Sequence, residues 1–260
     1  MTPDLELALE AVDTADRVTL SAFRRASLAV ERKADRTPVT EADRGAEAAV
    51  RQLISRERPS DGILGEEMGT TGDGDRRWVI DPIDGTVNFV RGLPVWATLV
   101  ALEVDGVMDV GVVSAPALGR RWWAQRGHGA FAGPIGQAGG PIRVSSIANL
   151  AEAGISAGCV HHFVDPQRWV ELASKVDHDR GFGDFWQHML VAEGALEAAL
   201  DPVDSIWDNA ALQVIVEEAG GKFTDFSGVA RVDGGSAVSS NGLVHDEVIA
   251  VLSGGGPTAS

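Results

Sequence analysis

The sequence predicts a mixed α and β chain of layered sheets and helices, and three observations carry that expectation. Helix-like and strand-like apolar periodicities alternate through both halves of the chain. Two Val-rich runs, 96–104 and 107–114, meet at Asp105-Gly106, a dipeptide suited to a tight hairpin. No internal repeat points to a solenoid or a propeller. With 260 residues, 44% of them hydrophobic, the chain can bury a sizeable core and lies outside the composition of disordered segments.

The elements follow in order. Leu5, Leu9, Val12 and Ala15 recur at helical spacing with Asp13 and Asp16 turned away, an amphipathic opening helix. Leu28 to Glu31 alternates and reads as a short strand. A second helix starts after Thr40 and buries Ala42, Ala46, Ala49, Val50 and Leu53. Gly62 to Gly65 is a short strand ending in Glu66-Glu67, Thr70 to Asp75 a Gly-rich polar loop, and Arg77 to Ile80 a further strand. Beyond the hairpin, Arg121 to Ala124 extends the same sheet. The stretch GPIGQAGGP (133–141) is either a long loop or the seam between two halves. We read 1–140 as an N-terminal α+β half and 141–260 as a C-terminal α/β half of one compact unit. The second half carries a strand near Ile155, helices at 166–176 and 184–194, and a strand at 196–200. A last helix spans 208–219 and stops at Gly220-Gly221, and the tail GGGPTAS frays.

Charge and composition exclude several classes. The 22 basic and 38 acidic residues give a net −16, which argues against a nucleic-acid partner. The start, MTPDLELALE, lacks the basic and apolar regions of a secretion signal. No uncharged run approaches the ~20 residues that span a bilayer, so no membrane partner is expected. The one cysteine permits no intrachain disulfide and fits a reducing cytoplasm. Cys159 reads as a small apolar filler. The six His show no zinc-protease spacing, and His161-His162 diverge in any regular element.

The stretch WVIDPIDGTVNF (78–89) carries the chemistry. An apolar strand runs into Asp81, and a second acid, Asp84, follows three residues later. Two close carboxylates repel unless a cation compensates them. Pro82 keeps Asp81 extended, and the turn through Ile83 brings Asp84 back to the same side. Gly85 allows close backbone approach, and the N–H groups of Gly85 and Thr86, if they open a helix, form an anion site. Acids for a hard cation beside donors for phosphate oxygens suit Mg²⁺ chemistry. Taken alone, the turn also fits an Asp-rich helix cap.

Three more blocks join it. GEE (65–67), DPIDGTVNF (81–89), WDNAA (207–211) and EAGGKFTD (218–225) resemble the inositol monophosphatase superfamily of Mg²⁺-dependent phosphomonoesterases, over roughly residues 5 to 252. Through VRGLPVWATLVAL (90–102) and VGVVSAPALGRRWWAQRGHGAF (110–131) the chain resembles in particular the actinobacterial histidinol-phosphate phosphatases. The resemblance implies a layered αβαβα sandwich and two to three Mg²⁺ ions per active site. It implies Glu66, Asp81, Asp84, Asp208 and the carbonyl of Ile83 as metal ligands. Gly85 and Thr86 would bind the phosphate, Thr86 and Glu66 would position the attacking water, and Asp43 would back Thr86. Asp43 also fits a capping arrangement with Thr40 at a helix start.

For the substrate, the resemblance implies Arg180, Gly183, Asp184 and Asp201, with Asp184 and Asp201 at the non-phosphate end. The implied reaction is hydrolysis of L-histidinol phosphate, a small phosphorylated metabolite, by a cytoplasmic homodimer. The pattern departs at Val87, where relatives carry Lys, in the segment 153–169, and at Trp186 and His188, which read equally as helix packing. Val87 and the segment 153–169 favour an inositol, other sugar or nucleotide phosphate instead, whereas Asp184 and Asp201, able to pair with an ammonium, favour histidinol phosphate. Among seven Trp and no Tyr, an aromatic wall is one reading of Trp122, Trp123 and Trp207 and core packing the other.

Overall fold

Trp78 and Ile80 point to one side of their strand and Val79 to the other, and all three are buried. A central strand covered on both faces requires layers on both sides. The computed structural model describes residues 1–25, 30–32 and 38–254 and provides them. The first half runs α1 (Pro3–Ala22), β1 (Val30–Arg32), β2 (Pro38–Thr40), α2 (Glu41–Glu57), β3 (Gly62–Gly65), β4 (Gly69–Thr71), β5 (Arg76–Asp84) and α3 (Thr86–Val90). It continues with β6 (Ala97–Val104), β7 (Val107–Ala115), β8 (Arg120–Gln125), β9 (Ala130–Pro134) and β10 (Gly140–Ile142). The second half runs β11 (Gly154–Ala157), α4 (Pro166–Ala173), β12 (His178–Arg180), α5 (Asp184–Ala192), β13 (Ala198–Asp201), α6 (Ile206–Glu218), β14 (Lys222–Thr224), β15 (Ala237–Ser240) and α7 (His245–Ser253).

An 8-stranded sheet has the order β10-β9-β8-β7-β6-β5-β3-β4, antiparallel except where β3 meets β5. A 5-stranded sheet has the order β12-β11-β13-β15-β14, with β11 parallel to both neighbours. Trp78, Ile80, Val100 and Leu102 pack against Leu5, Ala8 and Val12 of α1 and Val50 and Ile54 of α2. On the opposite face Val79, Leu99, Val113 and Trp122 meet Phe185 and Met189 of α5 and Leu212 and Ile215 of α6. The smaller sheet then packs Ile155, Leu200 and Val238 against Trp169 and Leu172 of α4 and Val248 and Val251 of α7. The layers run αβαβα, as the resemblance implied.

Most expected elements are present, with informative differences. Asp16 is buried: it accepts from Ser114 Oγ at 2.7 Å and Arg121 Nη2 at 3.0 Å, so the apolar face of α1 contains an ion pair. Ala49 is half-buried. Thr70 and Thr71 belong to β4, which hydrogen-bonds the edge of β3. The Gly-rich stretch 133–141 is the hairpin that pairs β9 with β10, neither a long loop nor a seam. The passage between the sheets falls after it, at 143–149. Of the expected strand at Leu28 to Glu31, Leu28 and Ala29 lie outside the described residues, as does the tail from 255.

One packing detail places the site. Ala101, Gly111 and Ala124 lie in register across β6, β7 and β8, and α6 presents Ala210 and Ala211 to that face. A Cβ on Gly111 would come within 2.4 Å of the Ala211 carbonyl oxygen. The row of small residues therefore seats α6 deep enough for its first turn to reach the end of β5. Gly111→Ala should overpack this contact and cost about 1–3 kcal/mol, read as a lowered urea midpoint with unchanged m-value.

Candidate active site

The end of β5 is bent by one extra residue. Its register with β6 passes from Asp81 opposite Leu99 to Asp84 opposite Ala97, a bulge that turns both acids to the rim. The polar groups of the bulge are satisfied locally: the Pro82 carbonyl accepts from Thr98 Oγ1 at 2.8 Å, and Ile83 N–H donates to Asp81 Oδ1 at 2.9 Å. Asp84 Oδ2 accepts from Phe185 N–H at 2.6 Å, at the start of α5. Asp208 sits in the first turn of α6 and accepts from the N-cap amide of Ser205 at 2.7 Å. Each acid is thus aimed by one backbone amide. Asp81, Asp84 and Asp208 bring ligand atoms within 4.8 Å of one another.

Glu66 follows β3, donates its N–H to the Ile80 carbonyl at 3.2 Å, and lines the same cleft. The corner that carries it is fixed from behind by Glu47, which the sequence reading did not single out. Glu47 is buried and accepts from Glu67 N–H at 2.7 Å, Met68 N–H at 3.1 Å and Arg51 Nε at 2.7 Å. Gly65 has no side chain because the Glu47 carboxylate fills that space.

Burial and mutual repulsion push these carboxyls up. Asp81 and Asp84 rise well above the ordinary range, chiefly through burial, then through Glu66 for Asp81 and through Asp184 for Asp84. Burial also lifts Asp208 and Asp184 to about 7 and Asp43 to about 6. An oxygen-only cluster that repels itself in this way is matched to a hard divalent cation.

Gly85 caps α3 in the left-handed region, φ +79°, so the predicted helix start is real and the position favours glycine. The Thr86 hydroxyl, however, donates to the Ile83 carbonyl at 2.9 Å, so it is not joined to Asp43. Asp43 instead closes a capping box: its Oδ2 accepts from Thr40 N–H at 2.8 Å and Thr40 Oγ1 at 2.5 Å. Its other oxygen is buried without a hydrogen-bond partner among the described residues.

The expected substrate residues divide. Arg180 is exposed on edge strand β12, bonds the Asp179 carbonyl, and does not line the cleft. The edge position of β12 leaves it in solvent, as it does Asp179 before it. Asp184 stands beside Gly85, its Oδ2 accepting from Asn88 at 2.9 Å, so it flanks the α3 start, with Asp201 the neighbouring acid that acts on it most. The corner at Gly183 and Asp184, φ +70° and +49°, swings it there. Gly183 and Asp201 line the cleft, whose volume is about 650 Å³. Asp204 was missed. Burial, then Asp201 and Asp208, raise it well above the ordinary range. A signal existed: Asp201-Pro-Val-Asp204 ends β13 as Asp81-Pro-Ile-Asp84 ends β5.

Three other expectations change. Cys159 is exposed on the cleft wall and is no core filler. His161 and His162 converge in a 3-10 turn, with ring centroids 4.2 Å apart. Trp122 is core, Trp123 stacks on Phe131, and Trp207 lines the cleft. His188 is fully buried and Trp186 packs on Phe182.

Comparison with known proteins adds to this geometry. The model of the inositol monophosphatase family matches residues 1–254. The chain is 52% identical to a histidinol-phosphatase of Mycobacterium tuberculosis, over 97% of this chain and 98% of that one. It is 46% identical to a histidinol-phosphatase of Streptomyces coelicolor, over 96% of each. Among solved structures it resembles an IMPase of Thermotoga maritima with a TM-score of 0.87 and 34% identity, over 97% and 98% of the two chains.

The raised carboxyls have a consequence for stability. Asp184 and Asp208 keep protons up to about 7 and Asp43 up to about 6, whereas unfolded Asp releases them near 3.8. The metal-free protein should therefore lose stability as pH rises through that window. Thermal midpoints measured across it should fall without cation, and saturating divalent cation should shrink the fall.

Proposed function

The chain belongs to the inositol monophosphatase family, and on that premise we propose that it is a Mg²⁺-dependent phosphomonoesterase that hydrolyses L-histidinol phosphate to L-histidinol and inorganic phosphate. The observation that carries this reading is the self-repelling acid cluster of Asp81, Asp84 and Asp208 at the cleft of a chain 52% identical to a histidinol-phosphatase. Glu66, Asp81, Asp84, Asp208 and the Ile83 carbonyl would hold the ions, two to three of them. When bound, Mg²⁺ supplies a lowered pKa for water and neutralises phosphoryl charge.

The remaining work belongs to the chain's own groups. Gly85 and Thr86 line the cleft at the start of α3, and their amides would receive phosphate oxygens. Glu66 and the Thr86 hydroxyl would orient the attacking water, and Asp43 would back Thr86 from the α2 cap once that hydroxyl turned from the Ile83 carbonyl. Asp184, held by Asn88, would stand beside the phosphate group, and Asp201 would face the alcohol. In this reading the half up to residue 140 supplies most metal ligands, and the half from 141 supplies Asp208 and the alcohol-facing groups. No described helix is long and apolar enough to cross a membrane. The single cysteine supports a cytoplasmic setting and family likeness supports a homodimer.

A panel of phosphate esters tests the reading by phosphate release. With Mg²⁺, histidinol phosphate should give the highest kcat/KM, and excess chelator should abolish it. Preference for inositol, sugar or nucleotide phosphates would make this a phosphatase of another substrate. Turnover surviving chelation would overturn the metal assignment.

Asp81→Asn should lower kcat by at least about a hundredfold, since it removes a transition-state charge partner. The Ile83 amide keeps an acceptor at residue 81, so the metal-free thermal midpoint should hold or rise.

A further inference from the structure

The two oxygens of Asp201 are held unequally. Oδ2 accepts from Gln187 Nε2 at 2.6 Å and from His188 Nε2 at 2.8 Å. Both donor side chains are fully buried. Each is tied at a second point: Gln187 Nε2 also donates to the Leu200 carbonyl at 3.1 Å, and its Oε1 accepts from Ser156 Oγ at 2.8 Å. With His188 Nε2 donating, its Nδ1 accepts from Ser239 Oγ at 2.7 Å. Neither donor can swing away without stranding a buried polar partner, so Oδ2 is braced.

Oδ1 has no hydrogen bond among the described residues. It stands beside Gly158 on the cleft wall, where a Cβ would lie 2.6 Å away. Asp201 itself presents a carboxylate at this wall, and Asp184 and Asp204 add two more carboxyls to the same cleft. A neutral hydroxyl could bond Oδ1 but would leave that charge uncompensated; an ammonium answers both needs.

We propose that Gln187 and His188 are positioning residues for substrate choice: they brace Asp201 from the protein side so that Oδ1, across the gap left by Gly158, receives an ammonium group on the leaving alcohol. This rests on the phosphomonoesterase reading. It makes the enzyme selective for phosphate esters of amino alcohols over those of neutral polyols.

The test is the ratio of kcat/KM for an amine-bearing ester to that for its deaminated counterpart. It is read on histidinol phosphate with its deamino analogue and on phosphoethanolamine with ethyl phosphate. Wild-type protein should show a large ratio, and Asp201→Ala should bring it close to one. His188→Leu and Gln187→Leu should each lower it about tenfold or more, through KM and not kcat. His188→Gln, which keeps a donor at similar reach, should largely restore it.

Gly158→Ala places a methyl against a carboxylate that cannot retreat, and should lower the ratio as well. An unchanged ratio in His188→Leu and Gln187→Leu proteins of native thermal midpoint overturns the proposal. If those variants do not fold, an unchanged ratio in Gly158→Ala overturns it. Failure of wild type on histidinol phosphate alone would strike the substrate assignment, while the phosphoethanolamine pair still decides the brace.

Discussion

The constraint on which the rest depends is the repulsion among carboxylates gathered at the end of β5. Asp81, Asp84 and Asp208 lie close enough to share an ion, with Glu66 beside them, and burial makes their charges expensive. A fold that concentrates like charge must hold each group against its tendency to turn away. Here a backbone amide does so for each of the three: Ile83 for Asp81, Phe185 for Asp84 and Ser205 for Asp208. Two of those amides open helices α5 and α6, whose N-termini also favour negative charge.

Several features that look separate serve that arrangement. The bulge in β5 turns two acids to one rim, and Thr98 takes the carbonyl that the bulge frees. The small residues under α6 bring Asp208 within reach, and Glu47 pins the corner carrying Glu66 through two amides. Each removes a degree of freedom from a group that must not move.

The same local device occurs at the opposite wall with different supports. Asp-Pro-x-Asp ends β5 in the large sheet and β13 in the small one. In the first, amides orient the acids. In the second, the side chains of Gln187 and His188 orient Asp201. Amide-held acids are aimed by backbone geometry that most substitutions leave intact. Asp201 is aimed by two replaceable side chains, so the alcohol end of the cleft can change without disturbing the acid cluster.

Much of this was legible in the sequence. Apolar periodicity marked α1, α2 and the β6–β7 hairpin, since burial of one face leaves a local repeat. Asp81, Asp84 and Gly85 were legible because strand, proline and turn act within a few residues. Strands β14 and β15, three and four residues long, carry too little periodicity to declare themselves.

Where side chains finally point was decided only by tertiary structure. Arg180 faces outward because β12 is an edge strand, Asp184 reaches Gly85 because the chain turns sharply at Gly183, and Thr86 bonds Ile83 in place of Asp43. The sequence determined which chemical groups this protein has and how each strand delivers them. Which groups meet depended on partners distant in the chain, 101 residues apart for Asp84 and the Phe185 amide, and no local pattern records a distance that only packing closes.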